Sequence, residues 1–320
     1  MSGCGLACGK VILLGEHAVV YGVPALAVGI DRGARAQAIP LETGPSRLLV
    51  RGWNISVLEE DTHDLARAFR ALLVAARAAH PSFGPHSVEV EANLPPGGGL
   101  GCSAAMGVAI ARAIEPWLGP AAIQDRAMVW EQVFHGNPSG VDAAVAARGG
   151  CVLFRKGSKL EPVRARGAIH LCIGNTGMAS STKCMVEAVA RLRTRRPEVV
   201  EKSFEAIRVL VNNARLAIEA GDRAALGRLM DLNQMLLSGL FVSTPEIERL
   251  CGLARDCGAL GAKLTGAGGG GSVVALVPTQ SVADAVLAAW SQAGFQGFST
   301  QVAPEARIHE LDGLKTETMP

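Results

Sequence analysis

Short apolar runs bounded by Gly, Pro or charge open the chain, at 9–14 (GKVILL), 24–30 (PALAVGI), 35–41 (RAQAIPL) and 47–51 (RLLVR). Each predicts a strand. Leu65, Phe69, Leu72, Leu73 and Ala76 then recur at helical spacing, and HSVEVEA at 86–92 returns to alternation. The segment SAAMGVAIARAI is small and apolar on nearly every face, which predicts a buried helix. A second helix carries Ile123, Ala127, Trp130 and Phe134 on one stripe and ends at the turn HGNPSG. Strand-like GCVLF and AIHLCIG follow. From Thr182 onward the period is mostly helical, with Phe204, Ile207, Val211, Ala214 and Ile218 marking one long helix and 224–240 another. A further helix, the strands GAKLT and SVVALV on either side of a glycine run, a helix over 282–293 and the strand FSTQV complete the order. Charge and Gly gather at 164–168, where a domain boundary is expected. The polar tail after Pro304 is expected to be disordered.

At 320 residues and 49% hydrophobic content, the chain is long enough for two domains with their own cores. Lys and Arg total 31 against 29 Asp and Glu, so no global field favours nucleic acid or an anionic membrane as a partner. A charged ligand must therefore be met locally. The eight Cys show no C-x-x-C and no zinc spacing, which points to reduced thiols in a cytoplasmic protein. No apolar run approaches the ~18 residues of a membrane span, so a soluble chain is expected. Only seven Lys occur, and Lys10, Lys183 and Lys263 fall beside the unusual segments described next.

Residues 93–107, NLPPGGGLGCSAAMG, set bare backbone against the start of the buried helix. No Lys follows the glycines, which excludes a Walker A loop. Gly99, Gly101 and Ala104 satisfy a loose G-x-G-x-x-A, but Pro95 and Pro96 separate the preceding strand from the glycines, against a dinucleotide fingerprint. Free N–H groups at a helix N-terminus favour an anion, unless the segment is an ordinary tight loop. Ser103, in the first helical turn, suits a cap or, beside bound phosphates, a Mg²⁺ ligand. In GKVILLGEHAVVYG, Lys10 precedes an apolar strand, Glu16 and His17 follow it, and Tyr21 is the chain's only Tyr. In EQVFHGNPSGVDAAV, Glu131 flanks an apolar helix and Asp142 follows a Pro-Gly turn; alone they would pass as a surface charge and a cap. Five Gly between Gly266 and Gly271 exceed what a hairpin needs, so close approach of backbone to something is expected.

Together these four segments resemble the GHMP kinase family, over about residues 9–276. GEHAVVYG is the most specific part and resembles the branch that phosphorylates mevalonate; similar galactokinases carry E-H-T-D-Y there. The resemblance implies an α+β, two-domain fold. A mixed α/β domain over 1–165 would carry the phosphate loop, helices on an antiparallel sheet would occupy 166–304, and 305–320 would be the tail. It implies ATP and Mg²⁺, with mevalonate as acceptor and a homodimer admitted. Pro96, Gly97, Gly98, Gly99, Leu100, Gly101, Cys102, Ser103 and Ala104 would meet the ATP phosphates. Ser103 and Glu131 would hold Mg²⁺. Asp142 would be the base for the substrate hydroxyl and Lys10 its partner, while Glu16, His17, Thr182, Gly266 and Ala267 would shape the acceptor pocket. The same elements serve kinases of phosphomevalonate or sugars, and a nucleotide-binding sensor without turnover is the non-enzymatic alternative.

Two departures stand out: members usually have Pro where this chain has Cys8, and Ser where it has Cys102. Cys102 is placed where loop N–H groups and the helix dipole converge, a setting that lowers a thiol pKa and predicts a reactive cysteine. The competing expectation is a small inert hydrophobe packed beneath the loop.

Overall fold

The computed structural model describes residues 2–302 apart from 96, 137, 139 and 159. Pro96 and the tail expected over 305–320 lie outside the described residues. The first half runs β1 (Gly3–Leu14), a 3-10 turn (Ala18–Tyr21), β2 (Ala25–Pro40), β3 (Arg47–Arg51), β4 (Ile55–Leu58), α1 (Asp64–Ala79), β5 (His86–Ala92), α2 (Cys102–Ile114), α3 (Pro120–His135), α4 (Val141–Arg148), β6 (Cys151–Phe154) and β7 (Glu161–Val163). These strands form one mixed sheet in the order β4-β3-β5-β2-β6-β7, with β1 pairing along β2 and β3 parallel to β5.

The second half runs β8 (His170–Asn175), α5 (Thr182–Arg195), α6 (Pro197–Ala220), α7 (Arg223–Gly239), α8 (Pro245–Asp256), β9 (Gly261–Thr265), β10 (Ser272–Val277), α9 (Gln280–Gln292) and β11 (Gln296–Gln301). Its sheet is antiparallel throughout, ordered β11-β8-β10-β9. The architecture is the expected α+β arrangement.

Local chemistry explains most of these elements. Leu65, Phe69, Leu72, Leu73 and Ala76 are all buried, as the stripe requires, and each of the larger side chains contributes about 1.5–3 kcal/mol by leaving water. Phe204, Ile207, Val211, Ala214 and Ile218 form the buried face of α6 in the same way. α2 is buried almost all round: it lies on β1 and β2 and packs against α3, with Gly107 facing the Trp130 ring.

Two strands differ from expectation. PALAVGI and RAQAIPL are a single strand, β2, because the polar Asp31 and Arg32 of the IDRG stretch joining them are an irregularity in the pairing and not a turn. The register shifts between Cys8 and Gly9, and a Cβ on Gly33 would stand 1.8 Å from the Ala7 carbonyl oxygen. β1 also begins earlier than its apolar run, at Gly3. A Cβ on Gly5 would meet the Ala109 carbonyl oxygen at 2.0 Å, so the glycines let α2 lie directly on the strand.

The two sheets meet along β1 and β9. Thr265 Oγ1 accepts from Ile12 N at 3.0 Å and donates to Ile12 O at 3.2 Å, and Ile30 bridges Val302. No helix among the described residues is long and apolar enough to cross a membrane.

Candidate active site

Where the sheets meet, the glycines of residues 97–101 fold over the start of α2. Gly97, Gly99 and Gly101 have φ of 71°, 74° and 70°, a left-handed conformation that glycine adopts without steric cost. Gly101 caps α2 with no side-chain hydrogen bond, and no acid of α2 itself occupies the first turn, so no side chain of the helix caps its N-terminal N–H groups. Leu100 and Ala104 point into the core, leaving only their backbone for a ligand. The loop is pinned on both sides: Leu100 O accepts from Lys10 N at 2.8 Å, and Gly98 O accepts from Ser272 Oγ at 2.7 Å.

The glycine run after β9 has a more domestic explanation than a ligand alone. Gly269 N donates to Val242 O at 2.7 Å, Gly271 N donates to Met178 O at 2.9 Å, and a Cβ on Gly268 would lie 2.1 Å from Val242 O. Those glycines answer to the chain itself. Gly266 differs: it faces Gly99, whose added Cβ would stand 3.8 Å from the Gly266 Cα, so the two glycine segments adjoin.

Lys10 lies on β1 and is buried, with its Nζ 2.9 Å from Asp142 Oδ1 and 3.5 Å from Gly99 O. Asp142 is in the first turn of α4 and 34% exposed; Gly140 is the cap residue, so Asp142 is free for the ion pair. The α4 helix itself was not legible in the sequence, because its HGNPSG lead-in and alanine-rich body carry no periodic stripe.

Ser103 Oγ donates to Glu131 Oε1 at 2.5 Å and accepts from Trp130 Nε1 at 3.2 Å. Glu131 is not a surface charge: it is 3% exposed, with His135 Nε2 3.7 Å from its other oxygen. Burial raises its pKa. The Ser103 hydrogen bond opposes the rise, and the Asp142 charge adds to it. Two carboxylates that repel each other next to a hydroxyl form a hard-oxygen donor set.

Glu16 and His17 are buried at the end of β1. His17 Nε2 is 2.8 Å from Ala267 O, and burial lowers the pKa of its ring, so the neutral ring donates from Nε2. Glu16 is fully engaged elsewhere: Lys263 Nζ reaches Oε1, and Asn233 Nδ2 donates to Oε2 at 3.3 Å. The sequence marks Lys263 as a Lys beside an unusual segment but not as the partner of Glu16, and nothing in it marks Asn233. Thr182 opens α5 and is exposed, and its hydroxyl makes no hydrogen bond among the described residues; it is not brought to Asp142 by any such bond.

The expectation of a reactive Cys102 is overturned. Its side chain is buried, Sγ points to Leu94 O at 3.8 Å, and burial together with the Glu131 charge pushes its pKa up to about 11. The helix dipole loses to desolvation because the thiol faces the core and not the loop. In the native protein Cys102 therefore resists iodoacetamide at pH 8 while the exposed Cys4 and Cys184 react. Peptide mapping checks this, and Cys102 labelling at the rate of Cys184 would overturn it. All eight cysteines are free.

Comparison with known proteins identifies the family. The family model for the GHMP kinase N-terminal domain matches residues 65–150, and that for the C-terminal domain matches 214–296. The mevalonate kinase of Aeropyrum pernix is 34% identical, over 95% of this chain and 97% of that protein. The mevalonate kinase of Thermococcus gammatolerans is 33% identical over 94% and 97%. The crystal structure of L. major mevalonate kinase in complex with R-mevalonate superposes with a TM-score of 0.83 at 29% identity, covering 96% of this chain and 97% of that one. A Lactococcus lactis galactokinase shares the fold at a TM-score of 0.76 and 19% identity. With both family domains present and relatives matched from end to end, this chain belongs to the GHMP kinase family.

Proposed function

We propose that the protein is an ATP-dependent mevalonate kinase, transferring the γ-phosphoryl group of ATP to the 5-hydroxyl of mevalonate to give 5-phosphomevalonate and ADP. The observation that carries this reading is the Lys10–Asp142 ion pair, 2.9 Å long, set beside a glycine loop whose helix N-terminus awaits an anion. The relatives named mevalonate kinase supply the acceptor.

The chemistry follows from these groups. Backbone N–H groups of residues 97–104 cradle the β- and γ-phosphates. Asp142 takes the proton of the acceptor hydroxyl as its oxygen bonds to the γ-phosphorus, and the bond from that phosphorus to the β–γ bridging oxygen breaks. Lys10 holds Asp142 in place and stabilises the charge developing on the attacking oxygen. His17, Gly266, Ala267 and Thr182 form the acceptor side, with Glu16 behind it.

Mg²⁺ fits the donor set. Ser103 and Glu131 bring a hydroxyl and a carboxylate together, both hard oxygen donors, and Mg²⁺ is the ion that characteristically takes one or two carboxylates and completes its shell with substrate phosphates. Ser103 and Glu131 would hold it, and it would neutralise phosphate charge during transfer. The same reading places a domain boundary at 164–168, between β7 and β8.

An ADP-release assay with mevalonate, phosphomevalonate, homoserine and galactose tests the acceptor. The expected result is a kcat/KM for mevalonate about 10²-fold or more above the others, the scale on which misplaced polar groups are rejected. A different preferred alcohol would reassign the substrate, and no turnover with any would support a sensor.

A further inference from the structure

Lys263 and Glu16 form an ion pair that the reaction above does not use. They stand 247 residues apart, and their side chains are 0% and 1% exposed. Both Glu16 oxygens have partners in the core, one Lys263 Nζ and the other Asn233 Nδ2, and the carboxylate is closed off from solvent. Lys263 Nζ also donates to Leu264 O. Asn233 Oδ1, itself buried, has no hydrogen-bond partner among the described residues. Burial raises the pKa of Glu16 and lowers that of Lys263, the usual sign of charges kept out of water at a cost.

Stability does not account for such a pair. Apolar side chains of similar volume in place of a buried ion pair are often neutral or stabilising, so the reason for it lies in what it fixes. Glu16 directly precedes His17, which has φ 61° and ψ −51°, an uncommon conformation for a residue with a side chain. Lys263 lies two residues before Thr265, which bonds the Ile12 backbone, and four before Ala267, which bonds the His17 ring. Three cross-links thus join the end of β1 to β9 and its glycine loop, and the ion pair is the charged one. Without Lys263, a buried Glu16 must either protonate or turn outward, and either change loses the charged link that ties the residue before His17 to β9.

We propose that Lys263 is a positioning residue: by holding Glu16 in the core it fixes His17 against Ala267, and so shapes the acceptor side of the site without touching the transferred group. This rests on the kinase reading above for which side the acceptor occupies.

The test compares Lys263→Met, Glu16→Gln and the double variant with the wild type, measuring the thermal midpoint, KM for the alcohol, KM for ATP and kcat. Lys263→Met is expected to raise the alcohol KM about tenfold or more while kcat and the ATP KM stay within about threefold. The double variant, with no buried charge left unpaired, is expected to recover the wild-type midpoint and yet keep the raised alcohol KM. A purely structural pair predicts that the alcohol KM recovers along with the midpoint, so a double variant with both restored overturns the proposal. Equal rises in the KM for ATP and for the alcohol overturn it too. If Lys263→Met does not fold, the double variant decides by the same readings. Should the wild type prefer another alcohol, KM is read for that alcohol; the substrate assignment then fails and the positioning role is still tested.

Discussion

Asp142→Asn lowers kcat by about 10²- to 10⁴-fold, the usual worth of a general base, and leaves ATP binding unchanged within about twofold. The amide keeps the shape of the carboxylate but cannot accept the hydroxyl proton, and it also removes the charge that Lys10 meets at 2.9 Å. The loss belongs in kcat because Asp142 is proposed to act on the proton in transit and does not belong to the proposed phosphate cradle of backbone N–H groups on α2 and its loop. In free-energy terms the change is about 3–5 kcal/mol of transition-state stabilisation. The fold should persist, since Asp142 is 34% exposed and is not the cap residue of α4, but the melting temperature should fall because the amide leaves the buried Lys10 ammonium without its charged partner. Steady-state kinetics with nucleotide-binding titration check this, and a raised KM with kcat intact would reassign Asp142 to substrate binding.

Glu131→Gln is expected to raise the Mg²⁺ concentration that half-saturates turnover by ~10–100-fold or more, because loss even of an outer metal partner costs that much. The amide preserves volume and can still bond Ser103. Glu131 is 3% exposed and its pKa is raised by burial. A carboxyl whose folded pKa lies above its unfolded one favours the folded state most at pH below the unfolded value, and that contribution fades as pH rises through the folded value. The metal-free protein therefore carries the cost of a buried carboxylate at neutral pH, and Glu131→Gln should melt at the same temperature as wild type or higher. Mg²⁺ demand in the wild type should grow as pH falls through that raised pKa. A variant that turns over at full rate in limiting Mg²⁺ would remove Glu131 from the metal site.

Much of this site is legible in the sequence, and the legible part has a common character. Glycine runs, a Lys ahead of an apolar strand and acids beside turns depart from what a core needs, so they stand out without a structure. Glu131 shows the limit. A carboxylate on a helix reads as a solvated charge unless the neighbour that covers it is known, and here the cover comes from Ser103 and α2. Cys102 shows the same limit for a thiol: dipole and desolvation act in opposite directions, and which wins depends on where the side chain points.

By itself the sequence determined most of the strands and helices but not β4, α4 or β7, and it determined the buried stripes of α1 and α6, the apolar α2 and the segments that carry chemistry, because each of these rests on local periodicity or on residue types within about ten positions. Only the tertiary structure decided that IDRG continues β2 instead of turning, since Gly33 is required by the distant Ala7 carbonyl. It alone decided that the glycines after β9 answer partly to Val242 and Met178, and that Glu16 spends its carboxylate on Lys263. These are contacts between residues tens to hundreds of positions apart. Their partners are chosen by how the two sheets pack, and no local pattern encodes that packing.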